Sequence, residues 1–228
     1  AAMAATPDVY RRIYDAFQAP VSRYDCGRKC APLNNGQPVC CTTDHAVPVV
    51  DRAEWQLLRS RSKLWHLYKP QDAAGREVIA DLHKSCVGIE CKGARHCERD
   101  NRSMSCRTFP FFPYITAEGE FVALAYFWTF EDRCWIQSNL GVVDVQFIRE
   151  FTAAYELLFS YDVDEFTANR DHSAMMRRTF SRWNRIIPLL GREGGYFAVE
   201  PRTHVIRPAT LEEFPRNETF RNEPAPTA

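Results

Sequence analysis

The chain predicts an α+β fold in which metal-stabilised, cysteine-rich loops pack on a small antiparallel sheet and C-terminal helices. Three observations carry this expectation. Two stretches, 26–41 and 85–113, are dense in cysteine and short of any apolar period; apolar runs broken by a turn follow residue 113; and two long stripes of helical period fill the last third.

Taken in order, "PDVYRRIYDAFQ" (7–18) puts Pro at a helix start and spaces Val9, Ile13, Tyr14 and Phe17 by three and four, the mark of a short amphipathic helix. The first cysteine stretch, "CGRKCAPLNNGQPVCC", lies among Pro20, Pro32, Pro38 and Pro48 and reads as loop rather than helix or strand. Asp51 is placed to N-cap "RAEWQLLRS", with Trp55 and Leu58 facing inward. The second stretch, "SCVGIECKGARHCERDNRSMSCRTFPFFP", also reads as loop. Two strands are expected around a turn at 118–120 in "YITAEGEFVALAYFWTF", with a third near "CWIQ". Phe147, Phe151, Ala154 and Leu158 form one helical stripe; Met176, Phe180, Trp183 and Ile187 form another that ends at Pro188. "LGREGGYFAVEP" suggests a turn into one more strand, and the tail "RNETFRNEPAPTA" should fray. Residues 1–115 are thus read as a cysteine-cluster metal-binding region and 116–228 as its sheet and helical support, in one compact unit.

With 228 residues, 45% of them hydrophobic, the chain can bury a core that needs no covalent staples. Its formal charge is zero, so no overall field would draw it to nucleic acid or an anionic membrane, and neither partner is expected. "AAMAATPDVYRRIYDAFQ" has no basic segment leading into an apolar run, and nowhere do about 18 apolar residues follow one another. A soluble, cytoplasmic protein is expected, with the residues ahead of Met3 read as additions to a native start.

Nine cysteines in a reducing compartment point to metal or thiol chemistry rather than to disulfides. Eight fall into two groups, Cys26, Cys30, Cys40 and Cys41, then Cys86, Cys91, Cys97 and Cys106. A zinc ribbon would carry paired C-x2-C knuckles, and none occurs. An iron–sulfur cubane spreads its ligand positions more widely, and glycine-rich loops supply amides to its sulfides. The pattern therefore favours an iron–sulfur cluster, most simply [4Fe-4S], with one or two centres and zinc as the alternative. Adjacent Cys40 and Cys41 point opposite ways in extended backbone, so both serve one centre only if the chain bends there. Cys134, beside Trp135 and Ile136, reads as a buried apolar residue.

The second stretch is basic, and six of its cations, Lys84, Lys92, Arg95, Arg99, Arg102 and Arg107, outnumber Glu90, Glu98 and Asp100. Guanidinium groups could stabilise an anionic cluster or hold an anionic substrate beside it. His45, His66, His83 and His96 lie in or near the cysteine stretches, and His96 is the candidate to replace a thiolate. Asp44 with His45 suits a turn cap more than acid–base work. Phe127, Trp128, Phe130 and Trp135 read as a strand packed on the C-terminal helices.

"CGRKC…CC" followed by "CVGIEC" and "HCERDNRSMSCRTFPFFP" resembles the YkgJ-type cysteine-cluster family, described as zinc- or iron-chelating. Arg102, Cys106, Arg107, Phe109 and Pro110 fall on its Arg-Pro-x-x-Cys-Arg-x-Phe-Pro segment, with Ser103 in place of the proline. In the first half an insert opens Cys30 from Cys40, and one cysteine of the family's C-x-x-C-x-x-C-C run is missing. The likeness covers residues 20–115. It implies a metal site drawn from both stretches, with Arg102 and Arg107 supporting a cluster or substrate. Because the family includes flagellin lysine N-methylase, it also implies a cluster-dependent enzyme acting on a peptide or protein. The readings left open are a redox-active protein with an electron-transfer partner, a structural zinc module that presents an interaction surface, and an S-adenosylmethionine-dependent lysine methyltransferase. Against the last, "KGARH" and "LGREGG" lack the strand-turn-helix context of a nucleotide loop.

Overall fold

The structure, a computed structural model, describes residues 4–221. Its elements in chain order are α1 (Pro7–Ala16), α2 (Cys26–Cys30), β1 (Val49–Asp51), α3 (Arg52–Arg61), β2 (Trp65–Leu67), α4 (Ala73–Ala80), β3 (Cys86–Cys91), α5 (Met104–Thr108), β4 (Phe111–Ile115), β5 (Phe121–Tyr126), α6 (Val145–Tyr161), α7 (Val163–Trp183), β6 (Ile187–Gly191), β7 (Tyr196–Val199), β8 (Ile206–Pro208) and α8 (Glu218–Arg221). The strands form two antiparallel sheets, one of three strands in the order β1-β3-β2 and one of five in the order β4-β5-β6-β7-β8. The protein is thus mixed α+β.

Alternation along the five-stranded sheet gives it two apolar faces. Phe111, Leu124, Tyr126, Leu190 and Ala198 face the larger core, built with α1, α3 and α6. Phe112, Tyr114, Ala123, Ala125, Ile187, Leu189 and Val199 face a second core, closed by Met176 and Phe180 of α7. β4 is an edge strand, and α7 covers it with a polar stripe. Ile115 N–H donates to Ser173 Oγ at 2.9 Å, and Arg177 Nη1 donates to the Ile115 carbonyl at 2.7 Å. The free edge is thereby closed to strand addition.

The expected N-terminal helix forms, and its buried Val9, Tyr10, Ile13 and Tyr14 pack on α3 and α6. The Glu150 carboxylate on α6 accepts from the amides of Gln18 and Ala19 at 2.7 and 2.6 Å, which fixes the exit of α1. Asp51 caps α3 as expected, accepting from the Ala53 amide at 2.7 Å. Leu58 is buried and Trp55 half-buried. The hairpin of β4 and β5 turns at the expected place, so the boundary drawn at 115 falls between two paired strands of one sheet.

Four expectations are corrected. The second cysteine stretch is not all loop, because "CVGIEC" is β3, the central strand of the small sheet. Val87 and Ile89 supply the β-branched period that flanking charges masked. In the first stretch, Asp25 caps a single helical turn at Cys26–Cys30, accepting from the Arg28 amide. "CWIQ" forms consecutive turns rather than a strand, although Cys134 and Trp135 are buried there. The last helical stripe stops at Trp183, where Asn184 adopts a left-handed conformation (φ 50°); Ile187 then opens β6, and Trp183 is 49% exposed. The tail holds as far as described, with Phe220 buried; residues 222–228 and 1–3 lie outside the described residues. No described helix is long and apolar enough to cross a membrane.

Candidate functional site

All nine cysteines are unbridged thiols. The fold brings seven of the eight predicted ligands into one electrostatic neighbourhood centred on Cys41. Burial raises the thiols of Cys26, Cys30, Cys91, Cys97 and Cys106, to about 11 for Cys26 and about 12 for Cys106, and negative charge at Cys41 raises each further. Cys40 and Cys41 lie 4.0 Å apart, Sγ to Sγ, in a 3-10 turn at Val39–Cys41. That turn supplies the bend by which neighbouring thiols can face one region. Their hydrogen bond raises Cys40 and lowers Cys41 to about 7.

Cys86 stands apart from this gathering. It opens β3 opposite Asp51, whereas Cys91 ends β3 opposite Trp65. Five residues of strand place them about 17 Å apart and on opposite faces, which no single centre can bridge. Cys86 and Cys91 therefore cannot serve the same centre, although Cys86 shares a cavity wall with Cys40 and Cys106.

The two predicted arginines also part company. Positive charge at Arg102 acts on Cys41, Cys97 and Cys106 and favours their thiolates. Arg107 is 4% exposed, and its guanidinium donates to the carbonyls of Phe17, Arg102 and Asp100 at 2.6, 2.9 and 2.8 Å while lying over the Tyr14 ring. It ties α5 to α1 with a bond from each of its three nitrogens, a structural role that the expectation of cluster or substrate support did not include.

Backbone amides reach two of the sulfurs, Val39 N–H donating to Cys30 Sγ at 3.5 Å and Gly93 N–H to Cys91 Sγ at 3.3 Å. Such bonds stabilise thiolate charge. His96 is exposed, and His45 is engaged by Asn34 and Arg133. "KGARH" runs from the end of β3 into a 3-10 turn, and "LGREGG" is the tight β6–β7 connection; neither is a nucleotide loop.

Two cavities meet at the thiols. One, about 440 Å³, opens past Cys41, Cys91, Lys92, Arg95 and His96. The other, about 390 Å³, is lined by Phe109, Phe112, Phe130, Leu158, Glu54 and Glu165 among others. Cys40 and Cys106 lie on the walls of both. Cys40 and Glu165 keep accessible surface while protein encloses them, so what they expose is cavity wall rather than outer surface.

Sequence reasoning missed both carboxylates. Glu54 is 2% exposed and accepts from Tyr14 Oη and the Met104 amide through the same oxygen, Oε1. Glu165 accepts from Asn169 Nδ2 at 3.0 Å. Burial pushes each to about 7; Glu165 and Asp51 raise Glu54 further, and Asp162 and Asp51 raise Glu165. The available signal was periodicity: Glu54 shares the inward face of Leu57 and Leu58, and Glu165, Asn169 and Ser173 are spaced by four along α7.

A single tetrahedral ion would need several sulfurs about 3.8 Å apart, from metal–sulfur bonds of about 2.3 Å. Among the described residues, no three Cys, His, Asp or Glu side chains sit close enough to hold one ion. No family model, no curated protein and no solved structure matches the chain.

Proposed function

We propose that the protein binds an iron–sulfur cluster, most simply [4Fe-4S], between its two cysteine stretches, and that it works as a redox-active or cluster-dependent enzyme on a peptide or protein group. The observation that supports this reading is that Cys40, Cys41, Cys91 and Cys106, from both cysteine stretches, line one cavity, with the sulfurs of Cys40 and Cys41 4.0 Å apart. Cys40, Cys41, Cys91 and Cys106 are the foremost candidate ligands, because all four line the cavity of about 440 Å³, and Cys97 joins them through its charge on Cys91. Bound there, a cluster would supply one-electron transfer or a Lewis-acidic iron. The chain's own part is to hold thiolates beside a guanidinium, to donate amides to sulfur, and to offer an apolar chamber on the far side of Cys40 and Cys106 where a reacting group is kept from water.

The test is iron, sulfide and zinc content with a visible spectrum, on protein purified without oxygen. Iron with equimolar sulfide and broad brown absorbance is expected; zinc without sulfide, or no metal, overturns the reading. Cys106→Ser should lose metal and Cys134→Ser should keep it, because Cys134 is 5% exposed beneath Trp135 rather than on either cavity. Equal metal content in the two variants would refute the ligand set.

A further inference from the structure

The chamber behind Cys40 and Cys106 carries an unbalanced set of charges. Asp51, Glu54 and Glu165 lie on its wall and Asp162 acts on it from the start of α7, but among the described residues no Lys, Arg or His lines it. All four carboxyl groups raise the Tyr10 hydroxyl, itself on the wall, after burial has already done so. Asp51 and Asp162 have other work, since each caps a helix. Glu54 meets the first amide of α5 as well, but through Oε1 alone. Glu54 and Glu165 each engage one oxygen, Oε1, in hydrogen bonds within the fold, and among the described residues the second oxygen of each takes none. Neither carboxyl forms an ion pair with a described residue. A buried carboxyl without a cation ionises only at a cost, so each of these two holds either a proton or a countercharge brought from outside.

The rest of the wall fixes the shape of what supplies it. Phe109, Phe112, Phe130 and Leu158 form its apolar side, and the volume of about 390 Å³ suits a small molecule. Aromatic faces of this kind also tolerate positive charge. A bare metal ion fits poorly, because no three ligating side chains converge among the described residues. An anion would meet three carboxyl groups and, among the described residues, no cation on the wall.

We propose that this chamber binds a small organic cation, an amine whose apolar body lies against the phenylalanine side and whose charged head sits between the free oxygens of Glu54 and Glu165. The assignment names the ligand class of the chamber used in the proposed enzyme, and it rests on that reading for the chemistry but not for the binding. Arrival of the cation relieves the burial penalty that holds both carboxyls near neutrality, so the pair becomes fully ionised around it.

The test compares 2-phenylethylamine with its neutral counterpart 2-phenylethanol, titrated calorimetrically into the full chain as purified. The amine should bind at least about tenfold more tightly, the difference a single well-placed buried charge pair makes. Glu165→Gln and Glu54→Gln should each shrink that ratio by weakening the amine and leaving the alcohol unchanged. Equal binding of the two probes, no heat from the amine at millimolar concentration, or a ratio that survives both substitutions would overturn the proposal. The ratio in the unmodified protein decides even if Glu54→Gln folds poorly. Metal content measured on the same sample separates the two claims. Amine selectivity without iron sinks the cluster reading alone, and iron without amine selectivity sinks the cation site alone.

Discussion

The five-stranded sheet and the three-stranded sheet are built from similar strand lengths but are held in different ways. The larger sheet is packed on both faces, with Phe147, Phe151, Met176 and Phe180 all buried against it or its neighbouring core. The smaller has strands of three, six and three residues, and most of β1, β2 and β3 is only partly buried. Around it the chain is fixed by polar ties: Trp65 Nε1 to the Asn101 carbonyl at 2.7 Å, Arg61 to Asn101, and the Arg107 clasp. One region is stabilised by apolar burial, while the other gathers thiols and carboxyl groups that burial makes costly to ionise. Stability and chemistry are thus assigned to different halves of one continuous core.

The substitution that should most damage both halves is Phe151→Ala. Its ring packs at 5.9 Å from Phe147 and 4.8 Å from Tyr155, so truncation should cost about 3–5 kcal/mol in urea unfolding. The two regions should still melt together, because α1 spans from α6 to α3. Two separate transitions would show that the halves are independent units. Arg107→Met comes next. It leaves the Phe17 and Arg102 carbonyls without this donor and the Asp100 carbonyl with Arg61 alone, and should cost about 3 kcal/mol, with hydrogen exchange rising first in residues 98–108. Protection lost uniformly would mean that the clasp is not local to the thiol region.

A smaller effect, with a definite sign, is expected from Glu54→Gln. Glu54 titrates near 7 in the folded protein, above an ordinary carboxylate, so between about pH 4.5 and 7 the folded state binds more protons than the unfolded one. Stability should fall as pH rises through that window, and Glu165 acts in the same direction. The amide oxygen introduced by the substitution can still accept from Tyr14 and Met104, so the variant should lose less stability from pH 5 to pH 8 than the parent. Identical slopes would place the pH dependence elsewhere, in Asp51 or Glu165. The smallest effect belongs to Cys86→Ser, which should retain full metal content and near-parental stability, as metal analysis and thermal melts would show. Loss of metal there would put a ligand at the wrong end of β3 for this structure.

Much of the larger region could be read from residues alone, because stripes such as Phe147, Phe151, Ala154 and Leu158 encode helix, buried face and partner at once. The cap at Asp51 and the turn at 118–120 were equally legible, being local signals. The smaller region was not. β3 alternates weakly between glycine, β-branched residues and thiols, and its strand character comes from pairing with segments 20 to 40 residues away in sequence. In the same way, sequence could list eight thiols but could not say that Cys86 and Cys91 close opposite ends of one strand. It could propose Arg102 and Arg107 together, and only packing separates one that acts on sulfur from one enclosed by carbonyls. Glu54 and Glu165 were hidden for a different reason, since carboxylates in helices are ordinarily solvated and only their spacing with buried neighbours betrayed them.

The closure of the chain's last described turn has a consequence for how the protein is made. Arg216 donates to the Ser138 carbonyl at 3.0 Å and to Asn139 Oδ1 at 3.1 Å, and Asn217 N–H donates to Ser138 Oγ at 2.9 Å, which pins the segment that carries Cys134 and Trp135. Trp135 in turn stacks edge-on to Tyr24, just ahead of Cys26. During synthesis, then, the first cysteines leave the ribosome long before the residues that finish their surroundings, and the thiols stay open to delivery of a cofactor, or to oxidation, until the final helix docks.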